Sequence, residues 1–480
     1  MDIVRSFRSL RRSFAVANLY SYQSLARRSL APLFRHQPSP PATTVLSLPS
    51  KAPIEEETIP DYSPEHFYPA NPGDLLHDRY EVTAKLGWGT SSVVWLARDL
   101  LRWRWQSERY VALKIMNCDF ADQAAAEYEL EMSGRLAKGD PQHHGFRFVR
   151  TALDSFETSG SHGKHVCLVY EPMRETLSHF QRRIKDGRFP LLLLKASIRL
   201  LLMGLDYLHS ECQMVHTDLK LENVLLGFES SDVLHDFVHA QRTRPMLSRK
   251  PAQTSSAASL SGLSPGRYTY RSQNEFGPLR SSKVLPKIAD FGAAQLGNRL
   301  QIHPIQPHSY RAPEVLLGIG WSYKADIWNL GVMMWNLLEN RDLFTPRIQP
   351  GRSYSPAAHL AEMIALLGPP PQTLIMNSAR SARQWTWSPT ITNPEGKLCE
   401  RVEDYYGGPF WDYRSGEFLY KELIPSSSRL EDSVPSIQDA EDKRQFLDFV
   451  RGMLRWVPEE RKTAKDLLED PWLAPPTDRG

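Results

Sequence analysis

Short apolar or alternating runs follow one another between residues 80 and 172 and predict β-strands. They are Tyr80–Leu86, Val93–Ala97, Tyr110–Met116 and His165–Tyr170. Beyond the stretch Glu171-Pro172-Met173 the pattern becomes helical, and its longest amphipathic run is Leu191–His209. The chain therefore changes from strand-rich to helix-rich near residue 172, which predicts a hinge between two lobes.

A turn with two glycines separates the first two strands. Gly87 and Gly89 carry no Cβ, so their backbone amides can approach phosphate oxygens closely, although hairpins also use such glycines for geometry alone. In the strand Tyr110–Met116, alternation puts Ala112 and Lys114 on one face. A small residue leaves room for a flat base and a lysine supplies a cation for phosphates, so the two elements together predict a nucleotide site.

The helical run Ala121–Ala137 contains a glutamate that faces the fold. Helical spacing brings together one face, formed by Ala125, Glu129, Met132 and Leu136. Glu127 and Glu131 lie about 200° around the helix from Glu129 and are expected in solvent. Because a buried charge needs a partner, we expect Glu129 to pair with Lys114.

A polar loop, Val215–Asn223, leads into the apolar strand Val224–Leu226. It holds an acid, a base and an amide, Asp218, Lys220 and Asn223, which predicts a rigidly mounted catalytic loop. Further along, Asp290 ends a strand and is followed by Phe-Gly, a flexible pair that would let the carboxylate reach a metal ion.

Two parts of the chain have a different composition. Residues 1–34 are rich in arginine and serine with Asp2 as the single acid, and residues 38–73 are rich in proline and serine. We expect residues 1–73 to be a disordered extension; its start resembles either a mitochondrial transit peptide or a basic arm. Residues 228–284 are mostly Ser, Arg, Pro and Thr and predict a largely flexible insertion, within which 232–237 and 268–276 could dock locally.

Composition narrows the class of protein. Apolar residues make up 41%, charged residues 24%, and the net charge is +3, values ordinary for a globular protein. The four cysteines have no metal-ligand spacing, and no apolar run approaches the ~20 residues that span a bilayer. The basic residues cluster in the N-terminal arm without an aromatic platform. We therefore expect no membrane insertion and no direct binding of nucleic acid.

The polar loop closely resembles the H-x-D-x-x-x-x-N element of eukaryotic protein kinases. Six matches to that family occur in the right order, namely the glycine pair Gly87 and Gly89, then Lys114, Glu129, Asp218, Asn223 and Asp290. The resemblance covers about residues 80–473. It implies an α+β, bilobal protein kinase fold with a small β-rich N-lobe, 80–172, and a larger helical C-lobe, 173–473.

The resemblance also implies an ATP-dependent phosphotransferase with Mg²⁺ as the metal. Asp218 and Lys220 would be catalytic, and Asn223 and Asp290 would bind the metal. The implied nucleotide-binding residues are Leu86, Gly87, Gly89, Val94, Ala112, Lys114, Glu129, Glu171 and Met173.

Other motifs narrow the resemblance. Ser309–Glu314 resembles the end of a kinase activation segment, with Arg311 placed as in the CMGC group. Asp326–Gly331 resembles the helix that anchors the catalytic loop, and Arg461 would be the partner of Glu314. Within that group, several sequence features resemble those of SR-protein kinases and their fungal relatives. They are Leu86-Gly87-Trp88-Gly89, Ser92, Thr217, the insertion and Ile305-Gln306-Pro307. This implies a serine/threonine kinase acting on Arg/Ser-rich splicing factors.

Two departures from the usual kinase pattern carry predictions. Thr217 replaces the arginine that pairs with an activation-loop phosphate, and the segment from Asp290 to Glu314 contains Ser309 as its single serine and no threonine. We predict activity without activating phosphorylation. The stretch Thr345–His359, where SR-protein kinases carry an acidic groove, contains no acid but has Arg347 and Arg352, so these positions predict repulsion of an Arg/Ser-rich peptide.

Alternative functions are a pseudokinase scaffold, which would have lost one of the catalytic residues, and a small-molecule kinase, which the Tyr310–Glu314 element disfavours. We expect a monomer. The family resemblance implies nucleus and cytoplasm, while the arginine-rich start would permit a mitochondrial location.

Overall fold

The computed structural model describes residues 53–60, 62–101, 107–118, 120–249, 268–281, 283–345, 354–426 and 429–474. The predicted transit peptide or basic arm lies outside these residues, as do Arg347, Arg352 and the middle of the insertion, 250–267. Within the described ranges, no helix is both long and apolar enough to cross a membrane.

The chain forms two compact units. The first comprises the described residues within Met1–Asp119, Phe156–Pro172 and Leu234–Glu275. The second comprises those within Phe120–Ser155, Met173–Val233 and Phe276–Gly480. The first unit is built on a sheet and the second on helices, so the expected α+β class is confirmed.

A six-stranded sheet with the order β1-β2-β3-β4-β6-β5 dominates the strand-rich part. Its strands are β1 (Leu75–Leu76), β2 (Tyr80–Trp88), β3 (Ser92–Asp99), β4 (Arg109–Met116), β5 (Ala152–Ser159) and β6 (Lys164–Tyr170). The β2–β3 hairpin carries irregularities of register between Val82 and Ala84 and between Lys85 and Gly87. The second of these lies just before the glycine turn, where the predicted nucleotide site begins.

Helices pack around one apolar core in the second unit. They are α1 (Phe120–Lys138), α2 (Leu177–Gln181), α3 (Leu191–Asp206), α5 (Pro313–Leu316), α6 (Lys324–Glu339), α7 (Pro356–Leu367), α8 (Gln372–Gln384), α9 (Val402–Tyr406), α10 (Ala440–Arg451) and α11 (Ala464–Leu468). Every residue of α6 except Lys324 is buried. A helix that is buried all round lies at the centre of the unit, and α6 therefore provides a rigid support for the loops that touch it.

Short strands in the second unit mount the polar loop. They are β7 (Glu175–Thr176), β8 (Met214–Val215), β9 (Val224–Leu226), β12 (Pro286–Ile288), β13 (Gln295–Leu296), β14 (Ile391–Thr392) and β15 (Leu398–Cys399). The order β12-β9-β7 forms an antiparallel sheet, and β13 pairs antiparallel with β8. The polar loop runs from β8 to β9, so paired strands hold both of its ends.

Helix α1 belongs by its contacts to the second unit, although the sequence places residues 80–172 in one lobe. Met132 and Leu136 join the apolar core of the second unit. The Tyr128 hydroxyl donates to the carbonyl oxygen of Ala294 at 2.7 Å, and the Tyr207 hydroxyl donates to that of Leu136 at 2.6 Å. These bonds tie the middle and the C-terminal end of the helix to its own unit.

Parts of the inserted segment 228–284 have regular structure. It contains helix α4 (Ser231–Thr243) and a pair of antiparallel strands, β10 (Ser248–Arg249) and β11 (Thr269–Tyr270). The two ends of the insertion are held together in the second unit, where buried Arg174 contacts the Glu229 carboxylate at 3.1 Å and the Gly277 carbonyl oxygen at 2.6 Å. The insertion therefore leaves and re-enters the fold at one point.

Candidate active site

One buried carboxylate anchors the loop between β8 and β9. Asp326, on α6, is fully buried. Its Oδ2 accepts a hydrogen bond from the backbone N–H of His216 at 2.7 Å, and its Oδ1 accepts one from the N–H of Thr217 at 3.0 Å. The Nε2 of His209 lies 3.0 Å from Oδ2. Because a buried carboxylate is stable only when it is hydrogen-bonded or paired, these contacts fix the start of the loop to the central helix.

The ring of His216 links this loop to the strand that precedes Asp290. His216 is fully buried, and its Nε2 lies 3.0 Å from the carbonyl oxygen of Ala289. A carbonyl can only accept, so Nε2 carries the proton and Nδ1 is left to accept from the N–H of Asp218 at 3.3 Å. The ring thus orients the backbone of Asp218 through a defined tautomer.

Thr217 adopts a backbone conformation that is rare for its residue type. Its φ is 68°, in the left-handed region that a β-branched side chain seldom enters. Besides the bond to Asp326, its hydroxyl donates to the carbonyl oxygen of Ala293 at 2.8 Å. Such strain persists only where the surroundings over-determine the conformation, and here two hydrogen bonds do so.

The acid, base and amide of the polar loop lie together. The Nζ of Lys220 contacts both carboxylate oxygens of Asp218, at 2.8 and 3.1 Å. The Nδ2 of Asn223 donates to the Asp218 carbonyl oxygen at 2.9 Å and to its Oδ2 at 2.8 Å. The side chains of Asp218 and Lys220 are 27% and 30% exposed, so solvent or a substrate can reach them. Oδ1 of Asp218 has fewer of these contacts and is the oxygen better placed to accept from an incoming hydroxyl.

Two carboxylates flank the glycine that follows Asp290. Asp290 is exposed and has a φ of 66°, whereas Glu129 is only 3% exposed. A Cβ on Gly292 would lie 3.3 Å from Glu129 Oε2 and 3.7 Å from Asp290 Oδ1. The backbone N–H of Ala289 donates to the carbonyl oxygen of Asn223 at 2.9 Å, which joins the Asp290 segment to the polar loop.

Helix α1 orients Glu129 largely as the periodicity predicts. Glu129 is buried with Met132, while Glu127 and Glu131 are exposed. Ala125 is exposed, contrary to the expected face, because Ala126 occupies the buried position one residue later. The pairing of Glu129 with Lys114 stays a prediction.

The nucleotide-binding residues predicted in the first unit lie on adjacent strands. Val94 of β3 is opposite Lys114 of β4, and Leu96 is opposite Ala112. Ala112 is 1% exposed, and the side chains of Leu86, Val94 and Lys114 are partly exposed. The β-sheet register therefore groups the lysine with the two strands of the glycine hairpin.

The glycine turn is open. A Cβ on Gly87 would meet no described protein atom within 4 Å, and one on Gly89 would meet only Ser92 Oγ at 3.7 Å. Neither glycine has a positive φ, so the backbone conformation of the hairpin does not itself require them. Glycine at these positions instead leaves space above the turn. A phosphate group needs this space to approach the backbone N–H groups closely.

At the chain's strand-to-helix transition, Glu171 is exposed in the first unit and Met173 is 8% exposed in the second. Their predicted nucleotide contacts stay predictions.

The expected partnership of Glu314 with Arg461 is confirmed. The two side chains are fully buried and form two parallel hydrogen bonds of 2.6 and 2.7 Å. The guanidinium also lies over the ring of Trp328, 5.0 Å from its centroid. A bidentate, fully desolvated pair joins positions 147 residues apart in sequence.

Sequence reasoning gave no role to Gln306, which organises the end of the activation segment. Its Nε2 donates to the Ala325 carbonyl oxygen and to Asn329 Oδ1, both at 3.0 Å, and its Oε1 accepts from the N–H of Ala312 at 2.8 Å. Gln306 has a φ of 71°. The sequence marked Gln306 only as part of a family motif, because two of its partners, Ala325 and Asn329, lie on α6.

The oxygen ligands suit a hard divalent cation. Asp290 offers a carboxylate, and the hydrogen bonds of Asn223 use its Nδ2, which leaves its Oδ1 for a metal. Within the described ranges, no group of three or more His, Cys, Asp or Glu side chains could hold a metal ion by itself. Remaining ligands would come from water and phosphate, as is usual for Mg²⁺ at phosphoryl-transfer sites.

Comparison with known proteins agrees with this geometry. The protein kinase domain model matches residues 80–259 and 279–473. A serine/threonine protein kinase of Aspergillus fumigatus is 35% identical over 92% of this chain and 98% of its own length. The serine/threonine-protein kinase SRPK of Physarum polycephalum is 31% identical over 88% of this chain and 92% of its own. A crystal structure of a kinase domain, 21% identical, covers 85% of this chain and 99% of its own with a TM-score of 0.58, which shows the fold. The chain belongs to the protein kinase family and is a serine/threonine kinase similar to the SR-protein kinases.

Proposed function

We propose that this kinase transfers the γ-phosphate of ATP to serine side chains of Arg/Ser-rich proteins, with Asp218 orienting the substrate hydroxyl. The observation that carries the proposal is the grouping of Lys220 and Asn223 on the Asp218 carboxylate, within a loop fixed to Asp326. Phosphoryl transfer depends mainly on positioning and on electrostatic stabilisation. A rigid, partly exposed carboxylate with a neighbouring cation supports both.

Each polar group of the loop has a task in this mechanism. Asp218 Oδ1 accepts a hydrogen bond from the substrate hydroxyl and takes up its proton. The Lys220 ammonium, 2.8 Å from the same carboxylate, stabilises negative charge as the phosphoryl group moves. Asn223 holds the carboxylate in one rotamer through its Nδ2.

Asn223 and Asp290 would hold Mg²⁺, which would neutralise phosphate charge. Gly87 and Gly89 would bind phosphate through backbone N–H groups, and Lys114 would supply a cation to it. Leu86, Val94 and Ala112 would contact the base. These roles follow the family pattern and are supported by the open glycine turn and by the register of β3 and β4.

Activity without activating phosphorylation is part of the proposal. It is supported by Thr217, whose hydroxyl bonds the segment after Asp290 through Ala293, where other kinases use an arginine and a phosphate. Protein purified without kinases and treated with phosphatase should retain its full rate. A protein that is inert until an upstream kinase phosphorylates it would contradict this part.

The substrate class rests on the resemblance to SR-protein kinases and on the relative named SRPK. The acid-free stretch Thr345–His359 indicates that the basic peptide is not bound there. Salt weakens binding that depends on exposed charge pairs. Because the peptide is not held by such pairs at this stretch, the rate of phosphorylation of Arg/Ser peptides should fall little at high salt. A nuclear and cytoplasmic location is proposed on the same resemblance.

The experiment compares Asp218→Asn with the wild type in an ATP-dependent assay on an Arg/Ser-rich peptide. The substitution keeps the shape of the side chain and removes the charge, so kcat should fall by about 10²- to 10⁴-fold. Asp404→Asn, at an exposed position of α9, is the matched control and should keep its rate. Equal rates for wild type and Asp218→Asn would favour a pseudokinase scaffold.

A further inference from the structure

Three consecutive glutamates before the kinase domain have partners in the first unit. Two of them, Glu55 and Glu56, share Lys85, whose Nζ lies 3.9 Å from Oε2 of Glu55. The Glu55 carboxylate accepts from the Ser272 hydroxyl at 2.6 Å. Glu56 pairs with Lys85. Glu57 pairs with Arg249 and also accepts from the Thr269 hydroxyl at 2.9 Å. We call the described residues 54–58, 246–249 and 268–273 together the strap.

The ion pair at the centre of the strap is deeply buried. The side chains of Lys85 and Glu56 are each 1% exposed. The Lys85 Nζ also donates to the carbonyl oxygen of Tyr270 at 2.9 Å. Removing one partner of a buried pair leaves an uncompensated charge, which costs far more than a surface pair is worth. The strap and β2 are therefore strongly coupled.

The backbone of Lys85 is held by the strap as well. Its carbonyl oxygen accepts from the N–H of Gln273 at 2.8 Å, and its own N–H donates to the sulfur of Met246 at 3.0 Å. All three polar groups of Lys85 thus contact the strap. Lys85 lies at the register irregularity of β2, two residues before Gly87.

Further contacts tie the strap to the rest of the sheet. The ring of Tyr270 packs edge-on against Trp95 of β3 with centroids 5.6 Å apart, and its hydroxyl donates to Asn71 Oδ1 at 3.0 Å. Burial acts to raise the pKa of Glu57, but hydrogen bonds from Arg249, Ile54 and Thr269 outweigh it and lower that pKa below its usual value. Glu57 is therefore ionised at neutral pH and holds Arg249.

We propose that the strap positions the glycine turn for ATP, with Glu56 as the positioning residue that acts through Lys85. The inference rests on the proposed function of Gly87 and Gly89. A turn with two glycines has many accessible conformations when the strand before it is mobile. Fixing that strand lowers the conformational entropy of the turn before the nucleotide binds, so less entropy is lost on binding. The strap therefore strengthens ATP binding and leaves the chemistry at Asp218 unaltered.

The test measures steady-state kinetics of the full chain, with ATP and an Arg/Ser-rich peptide varied separately. Glu56→Gln should raise the KM for ATP about tenfold, because Lys85 loses its nearer and fully buried counter-charge and keeps only Glu55 at 3.9 Å. We expect kcat and the KM for peptide to change little. The charge-swapped variant Glu56→Lys with Lys85→Glu should recover part of the ATP affinity. Glu65→Gln, whose side chain is 66% exposed nearby, is the matched control and should behave as wild type.

A milder variant covers the case in which Glu56→Gln does not fold. Arg249→Gln disrupts the partly exposed contact to Glu57, with side chains 18% and 15% exposed, and should raise the KM for ATP in the same direction by a smaller factor. If the variants lose only thermal stability or kcat while the KM for ATP stays at the wild-type value, the strap is merely structural and the inference is wrong. A wild-type protein that phosphorylates nothing would instead contradict the proposed function.

Discussion

At residue scale, Thr217 combines three constraints on the start of the polar loop. Its φ is 68°, its N–H donates to Asp326, and its hydroxyl donates to Ala293. The bond from the Thr217 hydroxyl to the Ala293 carbonyl oxygen therefore takes the place of the pair that an arginine and an activation-loop phosphate form in other kinases. The catalytic loop is held by the fold itself.

We predict that Thr217→Val lowers both stability and activity. Valine keeps the shape but removes the donor, so the carbonyl oxygen of Ala293 loses a partly buried hydrogen bond worth about 0.5–1.5 kcal/mol. Thermal unfolding and steady-state kinetics of the variant measure the two effects. Thr392→Val, at an exposed position of β14, is the control. Unchanged unfolding and unchanged kcat in Thr217→Val would mean that the hydroxyl is dispensable.

The grouping of polar residues at the candidate active site was largely predictable from sequence, and that of the strap was not. Asp218, Lys220 and Asn223 lie within one loop, so spacing alone places them together. Glu56 and Lys85 are 29 residues apart, and the Tyr270 carbonyl that joins them is a further 185 residues along. A buried ion pair made by tertiary contact leaves no periodic signature.

At the scale of elements, helix α7 carries a histidine that the fold keeps neutral. His359 is fully buried beside Phe344, and the Tyr354 hydroxyl lies 2.9 Å from its Nδ1. Burial, together with the positive charge of Arg311 and the neighbouring His308, lowers the pKa of His359 from 6.5 to about 3.

This histidine predicts acid sensitivity. Between pH 6.5 and about 3 the unfolded chain binds a proton at His359 that the folded chain does not, so stability falls as pH decreases, by up to about 1.4 kcal/mol per unit. Melting temperatures of wild type and His359→Gln should therefore converge or cross as pH is lowered from 7 towards 4. His303→Gln, at an exposed position, should show the wild-type pH dependence. Parallel curves for His359→Gln and wild type would contradict the prediction.

Periodicity placed helix α1 nearly correctly but not the unit to which it belongs. The buried face was offset at one position, where Ala126 rather than Ala125 packs inward. Its contacts with Ala294 and Tyr207 come from segments far along the chain. Amphipathic pattern gives the buried face of a helix, whereas its neighbours depend on the whole fold.

At the scale of the whole molecule, contacts hold the insertion both at its two ends and further inside it. Its ends are joined through Arg174 in the second unit, and β10 pairs with β11 so that Arg249 is opposite Thr269. Opposed residues of an antiparallel pair lie about 4.5–5.5 Å apart. A short turn is enough to connect them.

Replacement of residues 250–267 by a four-residue Gly/Ser turn should therefore leave the enzyme intact. The strap keeps all of its described contacts, so the melting temperature and the KM for ATP should match those of wild type. Removal of residues 246–273 is the informative counterpart, because it deletes the partners of Lys85 and should raise the KM for ATP. A large loss of stability from the shorter deletion would show that 250–267 contributes to the fold.

The pairing of Lys85 with distant segments also has a consequence for synthesis on the ribosome. The first unit is completed by residues as far along as Glu275, so the nascent chain carries Lys85 without its Tyr270 and Gln273 contacts until more than half of the protein has been translated. Contacts of such long sequence separation form late and slow folding. Strand β2, which precedes the glycine turn, should therefore mature only after the first two segments of the second unit, Phe120–Ser155 and Met173–Val233, have been synthesised. Chaperones would be most needed during that interval.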